Sequence, residues 1–340
     1  MDFKEILERE EYSFLREDKH LGNNIILLGL GGSYSYGTNN EESDLDVRGI
    51  ALDKKSDLIG FSTFEQYTDS NTDTTVYSFN KIIKLLLNCN PNTIEMLGLK
   101  KEHYLYLNEY GRELIDNSHL FLSKRAVYTF GGYADAQLRR LENALARDSL
   151  GQSDKEQHIF NSVKNMMYNF NTTYFNYDKT NIRIYIDKAI NPEYDTEIFV
   201  DGDLRHYPLR DYKGMLTEMQ NVIKAYSKIG KRNNKKDDKH LNKHAMHLIR
   251  LFMMAIDILE KQQIITYREK EHDLLMSIRN GEFQNSDHTF NSAFYDILKE
   301  YEDKLRYASE NTTLPDEPDM EMVQEYVMKV NSEIINSKRD

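Results

Sequence analysis

The chain has 340 residues, of which 39% are hydrophobic and 11% aromatic, and its formal net charge is −12. This length and apolar content are enough for two or three compact lobes and exclude a disordered chain, while the acidic charge argues against a protein that tracks along duplex nucleic acid. The single cysteine excludes a disulfide framework and a thiolate zinc site formed by this chain alone.

The N-terminal residues are charged, unlike a signal peptide, and no apolar run reaches the roughly 18 residues that a membrane span needs. We therefore expect a cytoplasmic protein without membrane association. Residues 3–20 place apolar side chains among charges at spacings typical of one or two short helices, which we expect to pack beside the first strand.

Residues 25–50, IILLGLGGSYSYGTNNEESDLDVRGI, indicate a strand, a glycine turn, a short helix, a loop and a second strand. The apolar run 25–30 is short and glycine-bounded, which suits a buried strand better than a helix. Gly31 and Gly32 remove two side chains, so backbone N–H groups and the Ser33 hydroxyl can approach a bulky anion. The turn therefore predicts a phosphate site.

Two aspartates, Asp44 and Asp46, open the predicted second strand. Because strand side chains alternate, these carboxylates should share one face while Leu45 enters the core. Paired carboxylates hold a hard divalent cation, and Mg²⁺ usually completes its shell with substrate phosphates, so the segment predicts a phosphoryl-transfer site. The alternative is a glycine turn followed by a surface Asx turn without a ligand.

Gly32-Ser33, followed after ten residues by Asp44-x-Asp46, resembles the signature of the DNA polymerase beta-like nucleotidyltransferase superfamily. The resemblance implies template-independent transfer of an NMP or dNMP from a nucleoside triphosphate to an acceptor hydroxyl, with release of pyrophosphate. It also implies that Gly32 and Ser33 hold the β- and γ-phosphates. Asp44 and Asp46 would bind one or two Mg²⁺ ions, with Mn²⁺ as the alternative metal.

The run DTTVY at residues 73–77 predicts a strand that begins with an acid. In the superfamily a third acid lies on a neighbouring strand, so the resemblance implies that Asp73 completes the metal site and orients or deprotonates the acceptor. Asp69 is the competing acid, and a loop cap is the alternative role for Asp73. Arg48, just past the first two acids, is a further phosphate-binding candidate.

Residues 79–97 predict an amphipathic helix that covers the sheet and the start of another helix. With residues 73–78 they resemble the predicted nucleotidyltransferases found beside RNA-repair genes, the RlaP-like branch, in which an Asn-Pro-Asn and Glu-Leu-like segment follows the third-acid strand. We interpret Glu95 as paired locally near a helix cap. The resemblance continues loosely over residues 127–141 and 240–283.

A long helical pattern covers residues 120–146, with Gly131 and Gly132 in its middle. These glycines indicate either a close helix contact or a kink. Tyr133, Gln137 and Arg140 share a face that either binds the nucleotide or is solvated.

Residues 182–186 and 197–200 alternate like strands, and Asp201-Gly202-Asp203 follows them. Since Asp-Gly is a hairpin signal, we expect residues 201–203 to form a turn rather than a second metal site.

A concentrated basic stretch covers residues 228–243 and indicates either a phosphate-binding segment or a solvated loop. Polar residues then recur at helical spacing opposite an apolar face. We expect this polar stripe to face phosphates in a cleft between two lobes. It consists of Lys243, His244, His247 and Arg250.

The sequence thus predicts an α+β fold. Residues 1–118 would form a small mixed-sheet catalytic lobe with flanking helices, and residues 119–340 a mostly helical lobe with a β-hairpin insertion around residues 182–206. We expect the charged, helical residues 285–340 to pack peripherally or to form a partner surface.

The predicted partners are a nucleoside triphosphate and an acceptor. The expected acceptor is a nucleic-acid 3′ end or a growing short oligonucleotide, which is single-stranded or short because the acidic chain must grip it locally. The alternatives are a protein hydroxyl, as in AMPylation, a small molecule, and a non-catalytic nucleotide-binding subunit that regulates a partner protein.

Overall fold

The computed structural model describes residues 3–149, 180–190, 195–204 and 238–337, together with residues 157, 160, 192, 208, 209, 212, 213, 215–217, 219 and 220. The predicted α+β fold is confirmed, with a mixed five-stranded sheet, flanking helices, and a largely helical C-terminal part that includes a two-stranded sheet. The strands are β1 (Ile25–Leu30), β2 (Val47–Ala51), β3 (Gln66–Asp69), β4 (Thr74–Ser78), β5 (Tyr104–Leu107), β6 (Thr180–Lys188) and β7 (Thr196–Leu204). The described α-helices are α1 (Phe3–Leu7), α2 (Phe14–Glu17), α3 (Gly32–Tyr36), α4 (Lys55–Ile59), α5 (Phe79–Leu86), α6 (Pro91–Ile94), α7 (Glu109–Asp116), α8 (Arg125–Ser149), α9 (Asp238–Lys261), α10 (His272–Arg279), α11 (Ser292–Asn311) and α12 (Met320–Asn336).

The large sheet has the strand order β3-β4-β2-β1-β5. β1 runs antiparallel to β2 and β5, β3 runs antiparallel to β4, and β2 and β4 are parallel. The parallel pair is joined by a crossover that contains α4 and β3, because parallel neighbours cannot be joined by a tight turn. Its register pairs Val47 with Thr74, so the two strands begin side by side.

One face of the sheet is covered by the N-terminal helices. Ile6 and Leu15 pack in one buried cluster with Leu28 and Val47 of the sheet. This confirms the predicted packing of residues 3–20 beside the first strand.

The opposite face carries the larger core. Leu27 and Ile50 of the sheet share one buried cluster with Phe79 of α5, whose amphipathic helix was predicted to cover the sheet. The last helix, α12, completes this cluster, and Tyr326 meets Phe79 edge to face with ring centroids 5.9 Å apart. The prediction that residues 285–340 are peripheral is therefore wrong for α12, because its apolar stripe is part of the sheet's core.

Helix α8 runs through Gly131 and Gly132 as one continuous element. A Cβ added at either glycine would meet no heavy atom within 4 Å among the described residues. Of the two alternatives predicted for these glycines, a close helix contact is not found among the described residues, and the kink stays a prediction.

We expect Gly132→Ala to raise the free energy of unfolding by about 1 kcal/mol, because alanine loses less backbone entropy than glycine on entering a helix. Urea denaturation of the variant and the parent chain measures this difference. A lower unfolding free energy for Gly132→Ala would contradict the open environment described here.

The two-stranded sheet is a hairpin of β6 and β7, in agreement with the predicted insertion. The predicted turn at residues 201–203 is wrong, since Asp201 lies inside β7 and pairs with Arg183 of β6. Its carboxylate accepts hydrogen bonds from the Arg183 guanidinium at 3.0 and 3.1 Å and from the Tyr185 hydroxyl at 3.1 Å. The chain reverses between Lys188 and Thr196 instead, where Asn-Pro is the sequence signal.

The chain divides into two compact units. One unit contains the large sheet and comprises residues 1–137, 245–283 and 292–340, and the other comprises residues 138–244 and 284–291. Phe121 and Phe130, which follow the predicted boundary at residue 118, belong to the core of the large sheet, and the boundary itself stays a prediction. Over the described residues, no helix has the length and apolar character that a membrane span requires.

Candidate functional site

Two of the three predicted acids meet where β2 and β4 begin. Asp46 immediately precedes β2 and Asp73 immediately precedes β4, and the parallel register of the strands places these two positions side by side. The backbone N–H of Val47 donates to the Asp73 carbonyl oxygen at 3.3 Å. Strand pairing therefore brings together two acids that lie 27 residues apart in the sequence.

The predicted start of the second strand at Asp44 is wrong. The β1–β2 ladder ends with the hydrogen bond from the Gly31 N–H to the Asp46 carbonyl, at 2.8 Å, and β2 begins at Val47. Asp44 precedes this ladder and is exposed, whereas Leu45 is half-buried against the core.

The cation at this site is Arg48. Its Nη2 lies 3.5 Å from Oδ1 of Asp46 and 3.3 Å from Oδ1 of Asp73, and its Nη1 donates to the Asp73 carbonyl oxygen at 2.5 Å. The side chains of Asp46, Arg48 and Asp73 are 18%, 23% and 59% exposed, so the pair is open to solvent on the Asp73 side. Two carboxylates thus already share one positive charge.

Hard divalent metals prefer oxygen ligands. Asp46 and Asp73 provide carboxylate oxygens that lie close enough together to pair with the same Arg48 nitrogen, so these two side chains suit such a metal. Within the described part of the chain, however, no group of three or more His, Cys, Asp or Glu side chains is arranged to hold a metal ion. Metal ligation by Asp44, Asp46 and Asp73 therefore stays a prediction.

Asp69, the competing third acid, caps the β3–β4 turn. Its carboxylate accepts hydrogen bonds from the N–H groups of Asn71 and Thr72 at 3.0 and 2.8 Å and from the Thr72 hydroxyl at 2.9 Å. The hydrogen bonds from Thr72 hold the pKa of Asp69 below its usual value. The loop-capping role belongs to Asp69, and the position beside Asp46 belongs to Asp73.

The glycine turn lies directly against Asp46. Gly32 has a φ of +54°, in the left-handed region, and a Cβ added there would overlap the Asp46 carboxylate oxygen Oδ2. Ser33 follows and is 8% exposed. The predicted phosphate turn therefore lies against one of the predicted acids, Asp46, although phosphate binding by Gly32 and Ser33 stays a prediction.

The loop between the turn and the acids is held by Arg279, a residue that the sequence interpretation did not assign to the site. Its guanidinium donates to the Thr38 carbonyl oxygen and, at 3.2 Å, to the Ser43 hydroxyl. Burial lowers the pKa of Arg279 from its usual value, but an arginine stays charged in proteins. Arg279 lies in the segment 240–283, which carries the loose family resemblance, and this was the signal in the sequence that could have indicated a role at the site.

A buried polar cluster lies behind the turn. Tyr36, Glu95 and Arg250 are 3%, 7% and 5% exposed. The Tyr36 hydroxyl donates to Oε2 of Glu95, Nη1 of Arg250 lies 3.7 Å from the same oxygen, and the Arg250 guanidinium stacks 3.5 Å from the Tyr36 ring centroid. Local pairing of Glu95 is therefore wrong, since its partners lie on α3 and α9.

The cluster shifts two pKa values. Burial raises the pKa of Glu95, while Arg250, the Tyr36 hydrogen bond and, more weakly, Arg48 lower it. Burial also raises the pKa of Tyr36 well above its usual value, so its hydroxyl stays protonated.

The predicted polar stripe on α9 does not lie on one exposed face. Lys243 is exposed, His244 and His247 are half-buried, and Arg250 is buried against Glu95 and Tyr36. Phosphate binding by these four residues stays a prediction. Most of the basic stretch 228–243 lies outside the described residues.

Comparison with known protein families gives a match over nearly the whole chain. Residues 3–329 of the 340 correspond to the family described as RlaP: RNA repair pathway DNA polymerase beta family. Neither the curated proteins nor the solved structures contain a match to this chain. The matched segment includes the glycine turn, the three acids and helices α1–α12 up to residue 329. The chain therefore belongs to the RNA repair pathway DNA polymerase beta family.

Proposed function

We propose that the chain is a metal-dependent, template-independent nucleotidyltransferase that transfers an NMP or dNMP from a nucleoside triphosphate to an acceptor hydroxyl and releases pyrophosphate. The observation that carries the proposal is that the carboxylates of Asp46 and Asp73 both pair with the Arg48 guanidinium. Asp46 also lies directly against Gly32 of the glycine turn. Family membership supports nucleotidyltransferase activity in general.

The carboxylates of Asp44, Asp46 and Asp73 would hold Mg²⁺ or Mn²⁺. Such a metal, when bound, neutralises charge on the triphosphate and on the attacking and leaving oxygens. Asp44 is exposed on the loop that Arg279 holds, so its carboxylate is accessible to a metal beside Asp46.

The protein's own groups position the reactants. Gly32 and Ser33 would bind the β- and γ-phosphates, and the Arg48 guanidinium would bind a phosphate oxygen. Asp73 would orient or deprotonate the acceptor hydroxyl, a role that its 59% exposed side chain permits. Phosphoryl transfer depends mainly on such positioning and on charge neutralisation.

We place the acceptor at the 3′ end of an RNA or of a short growing oligonucleotide. The family's description as an RNA repair pathway supports this choice. The net charge of −12 supports a short or single-stranded acceptor over a long duplex.

The test is a transfer assay with the full chain. The protein is incubated with each ribo- and deoxyribonucleoside triphosphate and Mg²⁺ or Mn²⁺, with and without a 5′-labelled short RNA. We expect metal-dependent pyrophosphate release and RNA longer by one or more nucleotides. In a parallel mixture the triphosphate is labelled on its α-phosphate, and label on protein instead of RNA would replace the RNA acceptor by a protein hydroxyl. A folded chain that releases no pyrophosphate in any mixture would overturn the proposed function.

A further inference from the structure

Among the buried polar groups of the sheet-bearing unit, the cluster of Tyr36, Glu95 and Arg250 has the closest connection to the proposed site. Its members come from three distant segments: the end of α3, the residues after α6, and the middle of α9. Each is more than nine-tenths buried. The buried Arg250–Glu95 ion pair, together with Tyr36, thus connects three segments next to the glycine turn, and we ask what this arrangement does besides packing.

Stability alone does not explain this cluster. Taking two opposite charges out of water costs free energy that their attraction repays only in excellent geometry, and apolar replacements of buried pairs are often at least as stable. Here the Arg250–Glu95 distance is 3.7 Å, and Nε of Arg250 is buried without a hydrogen-bond partner among the described residues. The geometry is thus below the standard at which a buried pair favours folding.

The cluster is connected to the glycine turn through α3. This helix has five residues, begins at Gly32 and ends at Tyr36. A helix of five residues is stable only through tertiary contacts. The contacts of its last residue, Tyr36, therefore help to fix the position of its first residues, Gly32 and Ser33. Tyr36 makes such contacts, since its hydroxyl donates to Glu95 and its ring lies under the Arg250 guanidinium.

We infer that Glu95, held by Arg250, is a positioning residue that fixes the Gly32-Ser33 turn through Tyr36 for binding of a nucleoside triphosphate. This role rests on the proposed function and replaces the direct phosphate contact predicted for Arg250. Neither Glu95 nor Arg250 touches the substrate in this arrangement.

The test compares Glu95→Gln, Arg250→Met and Tyr36→Phe with the parent chain. Each change removes one charge or one hydroxyl while keeping the approximate shape of the side chain. We expect the triphosphate KM to rise about tenfold, the effect of one lost charged hydrogen bond, while the KM for the acceptor RNA stays unchanged. Partial unfolding would lower the apparent kcat without changing either KM. A higher KM for the triphosphate alone therefore identifies a positioning role.

Asp257→Asn is the matched control. Asp257 is a buried acid on α9, the helix that carries Arg250, and it pairs with Lys261 and Arg268. We expect this variant to lose stability but to keep the parent's triphosphate KM. An equal rise in the control would overturn the inference, because the effect would then follow from loss of any buried pair on α9.

A binding measurement separates this inference from the proposed function. Calorimetry with a non-hydrolysable α,β-methylene triphosphate and Mg²⁺ gives a Kd that does not depend on finding the acceptor. An active parent chain with unchanged KM and Kd in folded Glu95→Gln would overturn the inference alone. A folded parent chain that neither binds the analogue nor transfers nucleotide would overturn the proposed function and the inference together. Tyr36→Phe leaves both buried charges in place and serves if Glu95→Gln does not fold.

Discussion

Replacement of Asp46 by Asn is expected to lower the rate of nucleotidyl transfer by about 1,000-fold, because it removes several kcal/mol of charge stabilisation at the reacting phosphate. Asn has nearly the same shape, so the hydrogen bond from Gly31 to the Asp46 backbone carbonyl is retained. Arg48 keeps Asp73 as its partner. The fold should therefore survive, and the transfer assay together with thermal unfolding measures both effects.

Asp69→Asn is the control for this prediction, because Asp69 is a nearby acid that caps a turn and has no assigned chemical role. We expect it to lower stability slightly, because the turn hydrogen bonds to this side chain are weakened, and to retain transfer. Near-normal product formation by folded Asp46→Asn would show that Asp46 is not part of the reaction centre. Loss of transfer in Asp69→Asn but not in Asp73→Asn would assign the third acid to Asp69.

Replacement of Gly32 by Ala is expected to lower transfer by about 100-fold, the effect of moving a reacting group by roughly 1 Å. The added Cβ would overlap the Asp46 carboxylate, and the φ of +54° is costly for alanine. Both effects displace Asp46 or the turn.

The strain in Gly32→Ala should also lower the unfolding free energy by about 1–2 kcal/mol. Gly132→Ala is the matched control, since it makes the same chemical change in open space. We expect the control to keep full transfer activity. Full activity in Gly32→Ala would mean that the close approach of Gly32 to Asp46 is not needed for the reaction.

Features set by short-range sequence patterns were predicted from the sequence. The run Ile25–Leu30 forms the strand, and the amphipathic stripe of Phe79–Leu86 covers the sheet. Both depend on periodicity within one segment, which sequence alone displays. The strand β5 was missed because its four residues, YLYL, give too short a pattern.

Among the pairings between distant segments, the meeting of Asp46 with Asp73 was predicted through the family resemblance, but the pairings made by buried or loop-holding arginines were not. Glu95 and Arg250 lie 155 positions apart, and no local pattern distinguishes a buried charge with a remote partner from a solvated one. The hydrogen bond from Arg279 to Thr38 spans 241 positions and was missed for the same reason. The turn expected at residues 201–203 failed because strand pairing with β6 extended β7 through the Asp-Gly signal.

Because α12 is part of the sheet's core, this core can be completed only after the C-terminal residues have been synthesised. A nascent chain that has reached residue 279 already carries the glycine turn, all three acids and Arg279, but it lacks the helix whose Val330 and Ile334 cover the same core as Leu27. Until translation passes α12, an apolar face stays exposed, and such surfaces are bound by chaperones or cleaved by proteases. We therefore expect a chain that ends before α12 to leave this face of the sheet uncovered and to be less stable than the full chain.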